Sequence, residues 1–249
     1  MESRTRARAL ILSRAVRVGG EIVTKAGFRV TPNADLYVEV RPGRSFVSRA
    51  GEKLAHALHV FGTEVRGRDC LDAGASTGGF TDALLKKGAD RVIAVDVGYG
   101  QLDWSLRKDA RITVMERTNV RYLSGEDLPF APGLLVADLS FISLVVALKK
   151  LLSTTPSVNE AVVLVKPQFE AGPEQVGRGG LVRGPEVRVA VIRSVAEAFR
   201  ALDFGAVDVT CSPITGRRSG NVEYPLRLVR GAKATLDEKY MLAVVGGDV

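Results

Sequence analysis

The sequence is poor in the residues that several protein classes require. It holds two cysteines and two histidines among 249 residues. Cys70 and Cys211 each lie in an apolar, strand-like run, where a thiol serves as a small buried hydrophobe. Two such cysteines build no structural zinc site without other ligands, and no metal is expected. His56 and His59 fall on one side of a helical stretch and read as structural or surface residues. Apolar runs such as 144–148 are far shorter than the roughly 20 residues that span a bilayer, so no membrane partner is expected. The opening Met-Glu-Ser-Arg-Thr-Arg-Ala-Arg has no apolar core and reads as no secretory signal, which fits a reducing cytoplasm. No internal repeat or low-complexity tract is present. The dinucleotide fingerprint Gly-x-Gly-x-x-Gly is missing as well.

What remains is an ordinary globular composition, 46% hydrophobic and 25% charged, long enough for one α/β domain and a small appendage. The net charge of +7 is unevenly placed. Residues 1–50 carry ten Lys or Arg against four Asp or Glu, so nearly all of the surplus sits in the first fifth of the chain. Clustered cations point to a polyanion, because neutralising phosphates releases counterions. Within this segment, residues 2–15 have helical spacing. Two strands over 15–23 flank the Gly19-Gly20 turn, and 36–40 forms a third strand. Pro42 and Gly43 make a linker.

From Ser48 onward strands and helices alternate. Helices are expected at 51–61, 80–87, 144–152 and 186–202. Strands are expected at 70–73, 91–95, 112–115, 134–137, 161–165, 206–211 and 224–229, with a long loop over 167–185. Near-continuously apolar strands between helices indicate a Rossmann-like α/β fold, a mostly parallel seven-stranded sheet with helices on both faces. The last two strands lack a helix between them, so the final strand is antiparallel. Ligands in such sheets sit beyond the strand carboxyl ends. There the first strand of the series runs into Asp72-Ala73-Gly74-Ala75-Ser76-Thr77-Gly78-Gly79-Phe80, a turn whose glycines let backbone approach a ligand ahead of a helix N-terminus. The next strand ends at Asp96, placed to accept from ribose hydroxyls. Together they indicate a nucleoside-containing cofactor. Asp138, Lys166 and Glu223 mark three further strand ends, where a charge is costly unless it is paired or used.

The segments SRAGEKL, DAGASTGGF, DVGYGQL, ERTN, ADLSFIS, LVKPQFE and SGNVEY closely resemble the TlyA (hemolysin A) family of ribosomal RNA methyltransferases, within the FtsJ-like 2′-O-methyltransferases. The resemblance runs from about residue 2 to 230. It implies a methyltransferase domain over 48–231, using S-adenosylmethionine to methylate a ribose 2′-hydroxyl, that of a cytidine, in ribosomal RNA or a ribosomal subunit. It places the family's Lys–Asp–Lys–Glu tetrad on Lys53, Asp138, Lys166 and Glu223. Lys166 would steer the 2′-oxygen, Lys53 supply like charge, and Asp138 and Glu223 orient the Lys166 ammonium. The cofactor would lie against Asp72, Gly74, Ala75, Ser76, Thr77, Gly78, Gly79, Phe80 and Asp138. Asp96 and Val97 would meet its ribose, and Glu116, Thr118 and Asn119 its adenine. Over residues 1–43 the resemblance is to an αL-type RNA-binding domain, with Arg4, Arg6, Arg14, Arg17, Lys25 and Arg49 as RNA contacts. That motif normally has a helix before Ser3-Arg4, so the domain is expected to be partial. Position 14 is Arg where the family tends to have Gly. Residues 232–249 read as a tail. Trp104 is expected to be a core anchor, and the 175–183 loop with Arg49 to form an RNA-facing rim. The competing readings are a nicotinamide-dependent dehydrogenase, an RNA-binding protein with an inactive methyltransferase fold, and a pore-forming hemolysin. The absent fingerprint disfavours the first, the intact tetrad the second, and the lack of spanning segments the third.

Overall fold

A computed structural model describes residues 4–12, 14–38, 45–215 and 220–247. The Pro42-Gly43 linker, the expected strand end at 39–40, and Ser219 lie outside these residues, and so do positions 2, 3 and 13 of the first expected helix.

The chain opens with α1 (Arg4–Leu12), followed by β1 (Val16–Val18), β2 (Glu21–Ile22) and β3 (Leu36–Val38). The first helix ends earlier than its spacing suggests. Arg14 adopts a left-handed backbone with φ 63°, and Ala15 N–H returns to Leu10 O at 2.9 Å, a helix-terminating arrangement. Gly19 and Gly20 both have positive φ, as a two-residue hairpin turn requires, and β1 pairs antiparallel with both β2 and β3. This three-stranded sheet buries little. Val16 and Val23 are the fully buried apolar side chains among the described residues 4–38, while Phe28, Leu36 and Tyr37 are exposed.

The larger unit comprises α2 (Ala50–Val60), β4 (Asp69–Ala73), α3 (Gly79–Lys86), β5 (Arg91–Val95), α4 (Trp104–Arg107), β6 (Ile112–Met115) and β7 (Leu134–Ala137). It continues with α5 (Leu144–Thr154), β8 (Glu160–Val165), α6 (Pro167–Glu170), α7 (Pro185–Arg200), β9 (Phe204–Val209), β10 (Tyr224–Arg230) and α8 (Glu238–Gly246). Its sheet has the order β6-β5-β4-β7-β8-β10-β9. The strands from β6 to β8 are parallel, and β10 runs antiparallel to both of its neighbours. Successive strand residues face opposite sides, so two cores form. Leu71, Ile93, Leu135 and Val163 pack with α5, α7 and α8, while Cys70, Val92, Leu134 and Val162 pack with α2 and α3. Burial pushes the Cys70 thiol up to about 12, consistent with an inert core residue.

Three expectations are corrected. The segment 232–249 is not a tail. Within it α8 packs on α7 through buried Met241 and Val244, with Tyr240 hydroxyl donating to Asp208 at 2.8 Å. The 167–185 stretch is not a simple loop either, because α6, two single-turn 3-10 helices and a Val176–Val182 bridge occupy it. Buried Asn221 fastens it, accepting from Val182 N–H at 2.9 Å and donating to Gly180 O at 2.7 Å. Lastly, Trp104 is no core anchor. It is half-buried on short α4, with the Lys108 ammonium 4.8 Å over its ring.

Candidate functional site

The carboxyl ends of the parallel strands form the site. At the end of β4, Gly74 has φ 90°, and a Cβ there would stand 2.7 Å from the carbonyl oxygen of Asp138 on the neighbouring strand end. Gly78 has φ 93° and packs against Leu102 and Leu106. Glycine is needed at both positions, for backbone geometry and for space. Asp72, the penultimate residue of β4, is fully buried and accepts from Thr81 hydroxyl at 2.6 Å. Burial pushes its carboxyl up to about 7, with the Thr81 hydrogen bond working in the opposite direction.

A cleft of about 550 Å³ opens above this turn, lined by Gly74, Ser76, Asp96, Val97, Gln101, Thr118, Asn119 and Val120 on one side and by 138–142 on the other. Asp96 is held from below, accepting from Ser76 N–H at 2.8 Å and from Gly98 N–H at 2.6 Å. Each carboxylate oxygen keeps a lone pair for a ligand. A second cavity of about 190 Å³ adjoins the first and shares Gly74, Ser76, Asp138 and Ser140 with it. Ala75, Thr77, Gly79, Phe80 and Lys166 also line it. The expected cofactor loop therefore divides. Gly74 and Ser76 line both cavities, Ala75, Thr77, Gly79 and Phe80 only the smaller one, and Asp72 and Gly78 line neither. Glu116 is drawn away from the large cleft, since its carboxylate accepts from Gly100 N–H at 2.7 Å and pairs with Arg107.

The four tetrad candidates resolve into two ion pairs. Lys166 is only 7% exposed, and its ammonium lies 2.6 Å from Asp138 Oδ1 and 2.9 Å from Ser140 Oγ. Lys53, on α2, pairs with Glu223. Because Tyr224 lies opposite Val165 in the β8–β10 ladder, the next step sets Glu223 opposite Lys166. Even so, Glu223 pairs with Lys53 and not with Lys166 as expected, and Ser140 lies beside Lys166. Ser140 was missed as a partner of Lys166 although the serine lies in a conspicuous motif. Phe141, also missed, is 84% exposed at φ 66° and its ring lies 5.0 Å from that of Phe169.

Of the RNA candidates, Arg49 falls between Ser48 and Ala50, which line the smaller cavity. Arg4, Arg14 and Lys25 are exposed, and Arg17 donates to Gly20 O at 3.0 Å. Arg49 precedes α2 and is half-buried. Arg6 is on α1 with its side chain outside the description.

Residues 46–229 match the FtsJ-like methyltransferase model, and residues 1–36 match the S4 domain model. The chain belongs to the FtsJ-like methyltransferase family. The 16S/23S rRNA (cytidine-2′-O)-methyltransferase TlyA of Mycobacterium tuberculosis is 48% identical over 91% of this chain and 84% of that protein. Hemolysin A of Brachyspira hyodysenteriae is 39% identical over 90% of this chain and 92% of its own length. A crystal structure of a Lactococcus lactis protein that carries the hemolysin name superimposes with a TM-score of 0.77 at 41% identity, covering 83% of this chain and 99% of that one. Among the described residues, no helix of this methyltransferase is long and apolar enough to cross a membrane. The resemblance to the TlyA family and the mostly parallel methyltransferase sheet with its antiparallel last strand both hold.

The cleft fits an adenosyl cofactor. Its volume is that of a small-molecule site, its floor is a close-approach glycine turn, and a pre-held carboxylate waits at the next strand end.

Proposed function

We propose that this methyltransferase transfers a methyl group from S-adenosylmethionine to the ribose 2′-hydroxyl of a cytidine in ribosomal RNA, acting in the cytoplasm. One observation carries the reading: a nearly buried lysine, held by a carboxylate and a hydroxyl, borders a cavity that opens onto the cofactor cleft. The printed activity of the 48%-identical mycobacterial protein supports the substrate class. The S4 match and the basic first fifty residues support RNA as the acceptor. We assign residues 1–43 to the RNA-binding domain and 48–231, together with α8 packed on α7, to the methyltransferase domain.

When bound, the cofactor supplies an electrophilic methyl group on a sulfonium. Gly74 and Ser76 receive it by backbone, Asp96 accepts from its ribose, and Thr118 and Asn119 border its base. Lys166 steers the acceptor 2′-oxygen toward the methyl carbon and offsets the negative charge that develops there as the hydroxyl proton passes to solvent water. Asp138 and Ser140 fix the Lys166 ammonium in one orientation. Lys53, oriented by Glu223, adds positive potential from α2. Alignment of this kind is worth several kcal/mol, up to about 7–11 for well-oriented reactants. Arg4, Arg6, Arg14, Arg17, Lys25 and Arg49 neutralise RNA phosphates.

The test is to incubate purified protein with each ribosomal subunit and methyl-labelled S-adenosylmethionine, then map the modified ribose. Label on a cytidine 2′-oxygen is the expected result. Label only on a base, or none on either subunit, would sink the proposal.

A further inference from the structure

Gln101 borders both the large cleft and a small cavity behind Asp96, which Gly98, Leu102 and Val114 also line. Its Oε1 faces the Ser76 hydroxyl at 3.4 Å. With the oxygen so placed, the amide nitrogen is turned the other way. It rests over Gly98, whose lack of a side chain makes the room. A Cβ on Gly98 would collide with Gln101 Nε2 and stand 2.9 Å from Asp96 Oδ1. A pure donor and a pure acceptor are thus neighbours above one glycine, at the edge of the cleft.

Their chemistry is complementary to a vicinal diol. A carboxylate can only accept, and it takes the hydroxyl protons of a ribose. The oxygens of those hydroxyls still carry lone pairs, which lose water on entering the cleft and need a donor. An amide NH₂ is such a donor, and it bears no charge that would compete for Asp96.

We propose that Gln101 Nε2 donates a hydrogen bond to one ribose hydroxyl oxygen of the adenosyl cofactor, so that Gln101 and Asp96 together select a sugar with an intact diol. Gln101 is then a specificity residue for the cofactor. This inference rests on the cofactor reading above.

Calorimetric titration of the full chain with S-adenosylhomocysteine and its 2′-deoxy and 3′-deoxy counterparts tests both levels separately. Binding of S-adenosylhomocysteine by the wild type is expected, and its failure would sink the cofactor reading together with this inference. Gln101→Leu keeps the bulk and removes the donor. It should weaken S-adenosylhomocysteine about tenfold, weaken one deoxy analogue equally, and leave the other unchanged. Equal weakening of all three ligands, or of none, overturns the Gln101 role and leaves the cofactor reading intact. Should the leucine variant melt early, Gln101→Asn, whose amide stops one methylene short, must give the same pattern.

Discussion

The small N-terminal sheet and the large methyltransferase sheet solve opposite problems. The first presents charge and buries little, with Val16 and Val23 enclosed while Phe28 and Tyr37 face outward. In the second, strands such as β7 and β8 are buried at every position, and the Glu160 carboxylate that opens β8 is paired with Arg68 and Arg227. Affinity for a polyanion needs many cations at approximate spacing, because most of it comes from counterion release. Methyl transfer needs a few groups held to within fractions of an ångström, which only a close-packed frame provides. Geometry has been invested in one region and charge in the other.

Several substitutions break or sharpen this contrast. The largest effect is expected from Lys166→Ala, which should lower single-turnover methylation about a thousandfold or more while leaving cofactor affinity nearly unchanged. Comparable turnover with the wild type would remove Lys166 from the mechanism. Replacing Arg4, Arg14, Arg17 and Lys25 together by alanine should do the reverse. Cofactor binding should persist, RNA affinity should fall, and the slope of log affinity against log salt should drop by about 0.7–0.9 per charge removed. An unchanged salt slope in filter binding would show that the N-terminal cations do not touch phosphate.

A third test uses acidity within the packed frame. Burial raises the Asp72 carboxyl from the usual 3.8 to about 7, so the folded protein favours its protonated form. The stability this group contributes is full below about pH 4 and is lost as pH rises through about 7. Asp72→Asn lacks that titration, so its melting temperature relative to wild type should be higher at pH 8 than at pH 5. Parallel profiles for the two proteins would contradict the shift. The smallest effect is expected from Arg14→Gly. A non-glycine residue at φ 63° is strained, so glycine should stabilise the N-terminal segment by about 1 kcal/mol at most, read as slower amide exchange over 15–23.

Much of the frame was legible because buried parallel strands announce themselves as apolar runs. The expected strands at 91–95, 112–115 and 134–137 match β5, β6 and β7 residue for residue. Short or appended elements were not legible. Helix α4 has four residues, and α8 is stabilised by its contact with α7, which no local pattern reveals. In the site, strand-end charges stood out as costly, but their partners did not. Whether Glu223 meets Lys53 or Lys166 depends on the β8–β10 register and on where α2 crosses, two facts set by tertiary packing. Ser140 and Gln101 were passed over because a neutral polar residue in a loop carries no burial cost to flag it.

The position of β10 has a consequence for how the protein is made. It inserts between β8 and β9, yet it is synthesised after both. Until residues 224–230 leave the ribosome, β8 has an open edge and β9 has no strand to join. The same late strand brings up Glu223, the partner of Lys53. A nascent chain can therefore complete its glycine turn and most of its sheet while still lacking one ion pair of the site, and during that interval the uncovered edge of β8 is the place where a chaperone would protect it or a second chain would add to it.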